Sequence, residues 1–129
     1  MADKKNAMLI FTKPPIPGLV KTRMTSEYGG FFTQDQAAMF YKCCFYDVCE
    51  MAMTAMGELQ AANDEKVAAD PEADRYIYDF FCSTTPAESL PQMKELFEKG
   101  GQWPMEVNFL VDSGHTFDEH FNDACDQLF

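Results

Sequence analysis

The sequence has no long apolar run and no sign of a secretion signal. No stretch approaches the roughly 20 apolar residues that a bilayer-spanning helix needs, so no membrane span is expected. Three of the first six residues are charged, and the apolar run at 7–11 is too short for the hydrophobic part of a signal peptide. We therefore expect a cytoplasmic protein. With 129 residues, 47% of them hydrophobic and 24% charged, the chain has the composition of one globular domain.

Paired-cysteine motifs are also missing. The five cysteines are Cys43, Cys44, Cys49, Cys82 and Cys125. Their number is odd and no two have C-x-x-C spacing, so buried reduced thiols are expected rather than disulfides or a zinc site. His115 and His120 are five residues apart, a spacing that turns them away from each other on a helix, so no two-histidine metal site is expected.

Basic residues are scarce and unevenly placed. The chain has 10 Lys and Arg against 21 Asp and Glu, a net charge of −11, which argues against duplex DNA or RNA as a partner. Half of the basic residues nevertheless fall within the first 23 positions: Lys4, Lys5, Lys13, Lys21 and Arg23. Asp3 is the single acid in that segment. This locally basic segment predicts a specific anion site.

Hydrophobic patterning predicts three strands alternating with three helices. The strands are predicted at 7–12, 76–82 and 105–111, because each is a short apolar or aromatic run. The alternation indicates parallel pairing and an α/β fold. Three strands form a small sheet with an open edge or a partner such as a second copy. Because the chain ends on apolar residues without a helix stop signal, we expect it to be the N-terminal part of a larger fold.

The helix boundaries follow from capping signals. Thr33 and Gln36 form a capping box that begins the first helix, and Gly57 is its predicted stop, give or take a turn. The acidic residues 60–74 are predicted to form the tail of the helix and a solvated connection. The second helix is predicted to begin at Thr85 or at Pro91 and to run to about residue 98.

The first helix is apolar on most of its sides. The residues at helical spacing are Ala37, Tyr41, Cys44, Phe45, Val48, Ala52 and Met56. Phe40, Met51 and Met53 lie off this stripe. The pattern predicts a helix buried on more than one side.

The segment between the first strand and the first helix carries the chemistry. Lys13, Lys21 and Arg23 can surround a phosphate, with Arg23 able to form two hydrogen bonds and the lysines acting as point charges. Gly18 permits a tight turn and Thr22 offers a hydroxyl. In parallel sheets, ligands bind at the carboxyl ends of the strands, which is where this loop begins.

The loop is neither a P-loop nor a dinucleotide fingerprint. A P-loop aligned on Lys21 and Thr22 would have glycine where Pro15 and Val20 stand. Three prolines at 14, 15 and 17 also remove amide donors that a backbone cradle would use.

The whole segment resembles a known family. A strand followed by K-P-P-x-P-G-x-V-K-T-R-[ML], over residues 8–24, is similar to bacterial glycosyltransferase-A-like proteins described as nucleotide-diphospho-sugar transferases. These are relatives of the molybdenum cofactor and phospholactate guanylyltransferases. The resemblance implies a Rossmann-like three-layer sandwich with a mainly parallel sheet, of which residues 1–129 would be the nucleotide-binding part. Lys13, Lys21 and Arg23 match the family's basic positions, and Gly18 matches its turn glycine.

The later parts of the chain match the family less well. Residues 33–56 resemble its first long helix, whereas 112–121 departs from its Q-x-G-x-D-L-G-x-R-M stretch at most positions and retains Gly114. The family implies Mg²⁺ or Mn²⁺, with ligands that would lie beyond Phe129. Asp112 is the nearest acidic candidate, although Asp at such a position more often has a loop or capping role.

These observations leave three candidate functions. The first is an enzyme that transfers a glycosyl or nucleotidyl group from a nucleotide-sugar or nucleoside triphosphate. The second is a non-catalytic nucleotide-binding module of the same fold. The third is a flavodoxin-like or other small α/β domain whose basic loop is incidental, since fold alone does not establish function.

Overall fold

The computed structural model describes residues 3–84, 87–111 and 117–128. In chain order the elements are β1 (Asp3–Thr12), α1 (Gln34–Ala69), β2 (Arg75–Thr84), α2 (Leu90–Lys99), β3 (Val107–Val111) and α3 (Phe117–Leu128). The predicted alternation and the α/β class are confirmed. No helix in the described ranges has the length and apolarity to cross a bilayer.

The sheet has three parallel strands in the order β1-β2-β3. β2 is the central strand, and it pairs with β1 from the Asp3–Arg75 partners to the Thr12–Thr84 partners. Thr84 in turn lies opposite Val111 of β3. The carboxyl ends of all three strands therefore meet at one edge of the sheet.

One face of the sheet carries the hydrophobic core. The buried cluster comes from α1, β2 and α2: Phe45, Cys49, Met53, Met56, Phe80, Cys82, Met93 and Phe97. The ring of Phe97 is its centre, with edge-on contacts to Phe45, Trp103 and Phe109 at centroid distances of 5.3, 5.4 and 5.6 Å. Both crossover helices share this face, as two right-handed crossovers require.

The first helix does not end at Gly57, its predicted stop, but extends through most of the segment predicted as its tail and a solvated connection. α1 continues to Ala69 because two amides in the extension bind the backbone of β2. Gln60 donates to the Tyr76 carbonyl (2.8 Å) and accepts from the Tyr78 N–H (3.0 Å). Asn63 accepts from the Tyr76 N–H at 2.7 Å and donates to the carbonyl of residue 74 at 3.1 Å.

These bonds explain why the glycine is tolerated. A glycine inside a helix costs about 0.5–1 kcal/mol, whereas each hydrogen bond contributes about 1 kcal/mol net. The four bonds of Gln60 and Asn63 therefore outweigh the cost of Gly57. They also occupy the part of the edge of β2 that β3 does not reach, because β3 pairs only with Phe80–Thr84.

Other boundaries differ less from prediction. The capping box of Thr33 and Gln36 is confirmed, with both reciprocal bonds present at 3.1 and 3.0 Å. α2 begins at Leu90 with Pro91 in its first turn, so the later of the two predicted starts is confirmed. β1 starts four residues earlier than predicted, at Asp3, and β3 two residues later, at Val107. Residues 85–86 and 112–116 lie outside the described ranges.

The prediction that α1 is buried on more than one side is wrong. Ala37, Phe45, Met53 and Met56 are buried, but several apolar residues of the helix are exposed: Met39, Phe40, Cys44, Val48, Met51 and Leu59. Cys43 is exposed as well, so the expectation of buried thiols holds only for Cys49 and Cys82 and, in part, for Cys125. All five thiols are free.

We expect the amides of Gln60 and Asn63 to contribute measurably to stability. Gln60→Met and Asn63→Leu keep side-chain size but leave backbone groups of β2 without partners. Each substitution should lower the free energy of unfolding by about 1–3 kcal/mol. Glu65→Met, at an exposed position of the same helix, is the control and should change it by less than about 0.5 kcal/mol. Urea denaturation measures all three, and equal stabilities would contradict the role of the amides.

The exposed and buried thiols should also differ in reactivity. Burial raises the pKa of Cys49 and that of Cys82 to about 12, so both remain neutral at pH 8. Because the thiolate is the reactive form, iodoacetamide at pH 8 should modify Cys43 and Cys44 in the folded protein and spare Cys49 and Cys82. Peptide mass spectrometry reads out each site, and labelling in urea should then reach all four. Modification of Cys82 in the folded protein as rapid as that of Cys43 would refute this.

Candidate functional site

The predicted loop leaves the carboxyl end of β1 and runs to the start of α1. Its residues 13–33 contain two short 3₁₀ turns, Thr22–Met24 and Ser26–Tyr28. The loop thus lies at the edge of the sheet where the three strands end. Ligand sites of open parallel sheets form at this edge.

Tyr41 anchors the beginning of the loop. Its hydroxyl, on the second turn of α1, is hydrogen-bonded to the hydroxyl of Thr12 and accepts from the backbone N–H of Lys13 at 3.4 Å. Pro14 is buried next to this contact, and further along the loop Val20 is buried with 4% exposure. The loop is therefore attached to the core at both ends of its proline-rich half.

Two residues of the loop have left-handed backbone conformations. Gly18 has φ of 86°, and it is the third residue of a turn closed by the bond from Leu19 N–H to the Ile16 carbonyl at 3.0 Å. Lys21 has φ of 50° and is the non-glycine residue with positive φ in the described part of the chain. An L-residue in this region costs about 1–2 kcal/mol. Such strain is typical of positions that serve a function.

The three basic side chains of the loop, those of Lys13, Lys21 and Arg23, are exposed. Over residues 3–84, 87–111 and 117–128, the ion pairs are Lys4 with Asp74 at 2.9 Å and Lys99 with Glu95 at 2.7 Å. None involves the loop. Its positive charge is therefore not compensated by the acidic residues that the structure describes.

Thr22 contributes its backbone to the loop. Its carbonyl accepts from both the N–H and the hydroxyl of Thr25, at 3.1 and 2.6 Å. Thr25 is 2% exposed and forms an isolated β-bridge with Phe32. This contact therefore connects the 3₁₀ turn Thr22–Met24 to the part of the loop that precedes α1. The side chain of Thr22 is half-buried.

A buried hydroxyl at the same sheet edge was not predicted. Thr84 is fully buried, and its hydroxyl has no hydrogen-bond partner among the described residues. It lies opposite Thr12 in the sheet register, and the side chains of both point to the helix-bearing face. The sequence prediction ended β2 at Cys82, two residues short of this group.

An open cleft of about 370 Å³ lies beside the loop, between α1 and α2. It is lined by Pro14, Pro15, Ile16, Lys42, Tyr46, Gln92, Glu95, Leu96 and Lys99. Its volume is within the range of small-molecule sites. The predicted residues Lys13, Gly18, Lys21, Thr22 and Arg23 are not part of this lining, so they would contact a ligand outside the cleft.

Tyr46 forms part of the wall of the cleft and fixes the spacing of the two helices. Its hydroxyl donates to the carbonyl of Leu96 at 2.6 Å, and its ring packs against that of Trp103 with a centroid distance of 5.8 Å. Partial burial raises the pKa of Tyr46, so its hydroxyl remains a donor at neutral pH. The indole N–H of Trp103 donates to the Phe97 carbonyl at 2.8 Å, and its ring packs against Tyr46 and Phe97. Trp103 therefore has a packing role.

The described residues contain no group of three or more His, Cys, Asp or Glu side chains close enough to hold a metal ion. Asp112 and His115 lie outside these residues. The Mg²⁺ or Mn²⁺ that the family resemblance implies remains an expectation of the sequence.

Comparison with known proteins does not assign the chain to a family. No family model matches the sequence, and neither the curated proteins nor the solved structures contain a match.

Removal of the Thr84 hydroxyl and removal of the Thr12 hydroxyl should change the free energy of unfolding in opposite directions. Thr84→Val replaces an unpaired buried hydroxyl with a methyl group and should raise the free energy of unfolding by about 1 kcal/mol. Thr12→Val, directly opposite in the sheet, removes the hydroxyl that is hydrogen-bonded to Tyr41 and should lower the free energy of unfolding by a similar amount. Urea denaturation of both variants tests this, and a destabilised Thr84→Val protein would show that the hydroxyl has a partner.

Proposed function

We propose that the protein is a nucleotide-dependent transferase that binds the phosphates of its donor with loop 13–24. The observation that supports this is the set of exposed cations, Lys13, Lys21 and Arg23, at the carboxyl edge of a parallel sheet, which form no ion pair with the described acidic residues. The net charge of the chain is −11, so this loop differs in sign from the rest of the molecule. A phosphorylated ligand is the chemistry that such a loop would select.

The proposed fold is Rossmann-like. The parallel order β1-β2-β3, with both crossover helices on one face, corresponds to one half of the doubly wound strand order 3-2-1-4-5-6. In that arrangement the loop after the first strand lies beside the nucleotide. We propose on this basis the relationship to nucleotide-diphospho-sugar transferases that the sequence of the loop indicates.

Each loop residue would have a distinct role. Arg23 would hold a phosphate through two parallel hydrogen bonds, and Lys13 and Lys21 would add positive charge from either side. The left-handed turns at Gly18 and Lys21 bend the backbone so that the loop can follow the phosphates. The adjacent cleft, with Tyr46 and the three residues 14–16 in its wall, would take the apolar part of the nucleoside.

The reaction transfers one group from the donor to an acceptor. Attack at the sugar carbon breaks its bond to oxygen and releases a nucleoside diphosphate, whereas attack at the α-phosphorus releases diphosphate. In both cases negative charge accumulates on the departing phosphate oxygens, and the fixed cations of the loop would stabilise it. A divalent cation, where bound, would supply Lewis-acid activation.

Calorimetric titration with nucleoside triphosphates and nucleotide-sugars tests the proposal, with and without Mg²⁺ or Mn²⁺. The wild-type protein should bind at least one of these ligands. Lys21→Gln/Arg23→Gln should weaken that binding by at least about tenfold, because it removes two charged hydrogen-bond donors. Lys66→Gln/Arg75→Gln is the matched control: it removes the same charges from exposed positions near the amino end of β2 and should leave binding unchanged.

Chromatography of the donor after incubation separates the candidate functions. Release of nucleoside diphosphate or diphosphate would support the transferase. Binding that depends on Lys21 and Arg23 without turnover would instead support the non-catalytic module. No binding by the folded protein, or equal loss in the control variant, would overturn a phosphate site in this loop.

A further inference from the structure

The outer side of α1 carries an apolar stripe whose residues remain exposed, although the ring of Phe32 packs against Phe40 at one end of it, with a centroid distance of 6.0 Å. We define this outer stripe as Phe40, Cys44, Val48, Met51, Ala55 and Leu59, all of which are exposed. The steps along it are three or four residues, so its members lie on one face of the helix. Exposure reaches 67% at Met51 and 53% at Leu59. The stripe is therefore a continuous apolar strip on the surface rather than a scatter of single exposed residues.

The position of Tyr46 shows which way the stripe faces. Tyr46 contacts α2 through its bond to Leu96. At 3.6 residues per turn, the stripe lies about half a turn around α1 from Tyr46, on the side away from α2. On that side the neighbouring element is β1. Met8 of β1 lies opposite Phe80 in the register and so points to the helix-bearing face, where it is nevertheless 41% exposed.

The exposed stripe and the exposed Met8 of β1 therefore form one apolar surface on this side of the sheet, which we call the groove. The stripe extends over 19 residue steps of α1, about 29 Å at 1.5 Å per residue. This is the length of a helix of about 20 residues. An amphipathic helix lying beside α1 would bury its own apolar face in the groove, a common mode of peptide recognition. The methionines of the groove are well suited to such a contact because their side chains adapt to different partners.

The charge beside the stripe identifies the kind of helix. Asp47, Glu50 and Glu58 surround Met51 and Ala55 in a shallow hollow of about 350 Å³. A basic side chain could lay its aliphatic part on the methionine and place its charge among the carboxylates. A second copy of this chain would bring the same carboxylates against one another, and each copy has a net charge of −11.

We propose that the outer stripe is the docking site of a basic amphipathic helix from a partner protein. This site is on α1 and shares no residue with the loop of the proposed transferase. The partner supplies leucine-like side chains to the stripe and lysine or arginine side chains to the carboxylates beside it.

A designed peptide serves as the probe. It has 21 residues, with leucine on one helical face and lysine on the other, and it carries a fluorophore for anisotropy titration in about 0.15 M salt. Two reference peptides accompany it: one with glutamate in place of lysine, and one of the same composition in which leucine and lysine alternate. The wild-type protein should bind the first peptide at least about tenfold more tightly than either reference, because only the first matches both the stripe and its charge.

Variants of the protein locate the contact. Val48→Ser/Met51→Ser/Leu59→Ser should weaken binding at least about tenfold, and these exposed positions allow the substitutions without loss of the fold. Leu19→Ser/Met39→Ser, exposed apolar residues outside the stripe, should leave it unchanged. Asp47→Asn/Glu50→Gln/Glu58→Gln should weaken binding and its salt dependence. The control Asp35→Asn/Glu72→Gln/Glu88→Gln removes three exposed acids elsewhere and should leave both the binding and its salt dependence unchanged.

Several results would overturn the proposal. Equal loss in the stripe variant and in its control, or in the two acid variants, would mean that the peptide binds the acidic surface as a whole. Equal affinity for the glutamate peptide would show that the carboxylates beside the stripe do not select a basic helix, which contradicts the proposal. Sedimentation that shows a dimer which the stripe variant abolishes would assign the stripe to a second copy. Retention of peptide binding in Lys21→Gln/Arg23→Gln is expected and keeps this test separate from that of the nucleotide loop.

Discussion

The backbone of β2 has polar groups on both sides, and satisfying them determines much of this structure. β1 pairs with β2 along its whole length, from Arg75 to Thr84. On the other side, β3 reaches only as far as Phe80. Buried backbone groups without partners cost free energy, so the remaining part of the edge must find donors and acceptors elsewhere. Gln60 and Asn63 supply them, and in doing so they fix the length and the position of α1.

The position of α1 then brings the candidate site together. Its amino-terminal half places Tyr41 at the carboxyl end of β1, where the tyrosine holds Thr12 and the start of the loop. The same helix is thus attached to the sheet at both ends, through a hydroxyl at one and amides at the other. The basic loop is held between β1 and α1 and leaves its cations at the surface, in the place where a parallel sheet accommodates ligands.

The position of α1 also separates two surfaces of opposite character. One side of the helix packs on Phe80 and Cys82, and the side that carries Tyr46 faces α2. The apolar residues on the remaining side of the helix stay exposed and form the outer stripe, with carboxylates beside it. Cations concentrate in the loop, whereas the carboxylates of Asp47, Glu50 and Glu58 lie beside the stripe. The proposed phosphate ligand and the proposed helical partner therefore differ in charge, and each would be repelled by the surface that attracts the other.

Local sequence determined several features without help from tertiary contacts. The capping box of Thr33 and Gln36, the left-handed turn at Gly18 and the parallel α/β order all follow from short-range stereochemistry or from periodicity. The candidate site was predicted as far as its loop residues, because clustered lysines and arginine stand out in an acidic chain. Phosphate binding by these residues is still a prediction.

Tertiary structure decided the rest, for reasons that the local pattern does not contain. Gly57 is a stop signal by propensity, but the helix continues past it because Gln60 and Asn63 form hydrogen bonds with the backbone at the edge of β2. Cys44 and Val48 have the same apolar character and helical spacing as Phe45, and only the position of the sheet decides which of them is buried. The hydroxyl of Thr84, which has no hydrogen-bond partner within the described ranges, likewise depends on which groups the fold places next to it. The sequence determines which residues can form helices, turns and anion contacts, whereas the packing of α1 on β2 determines which of their faces remain open to a ligand or a partner.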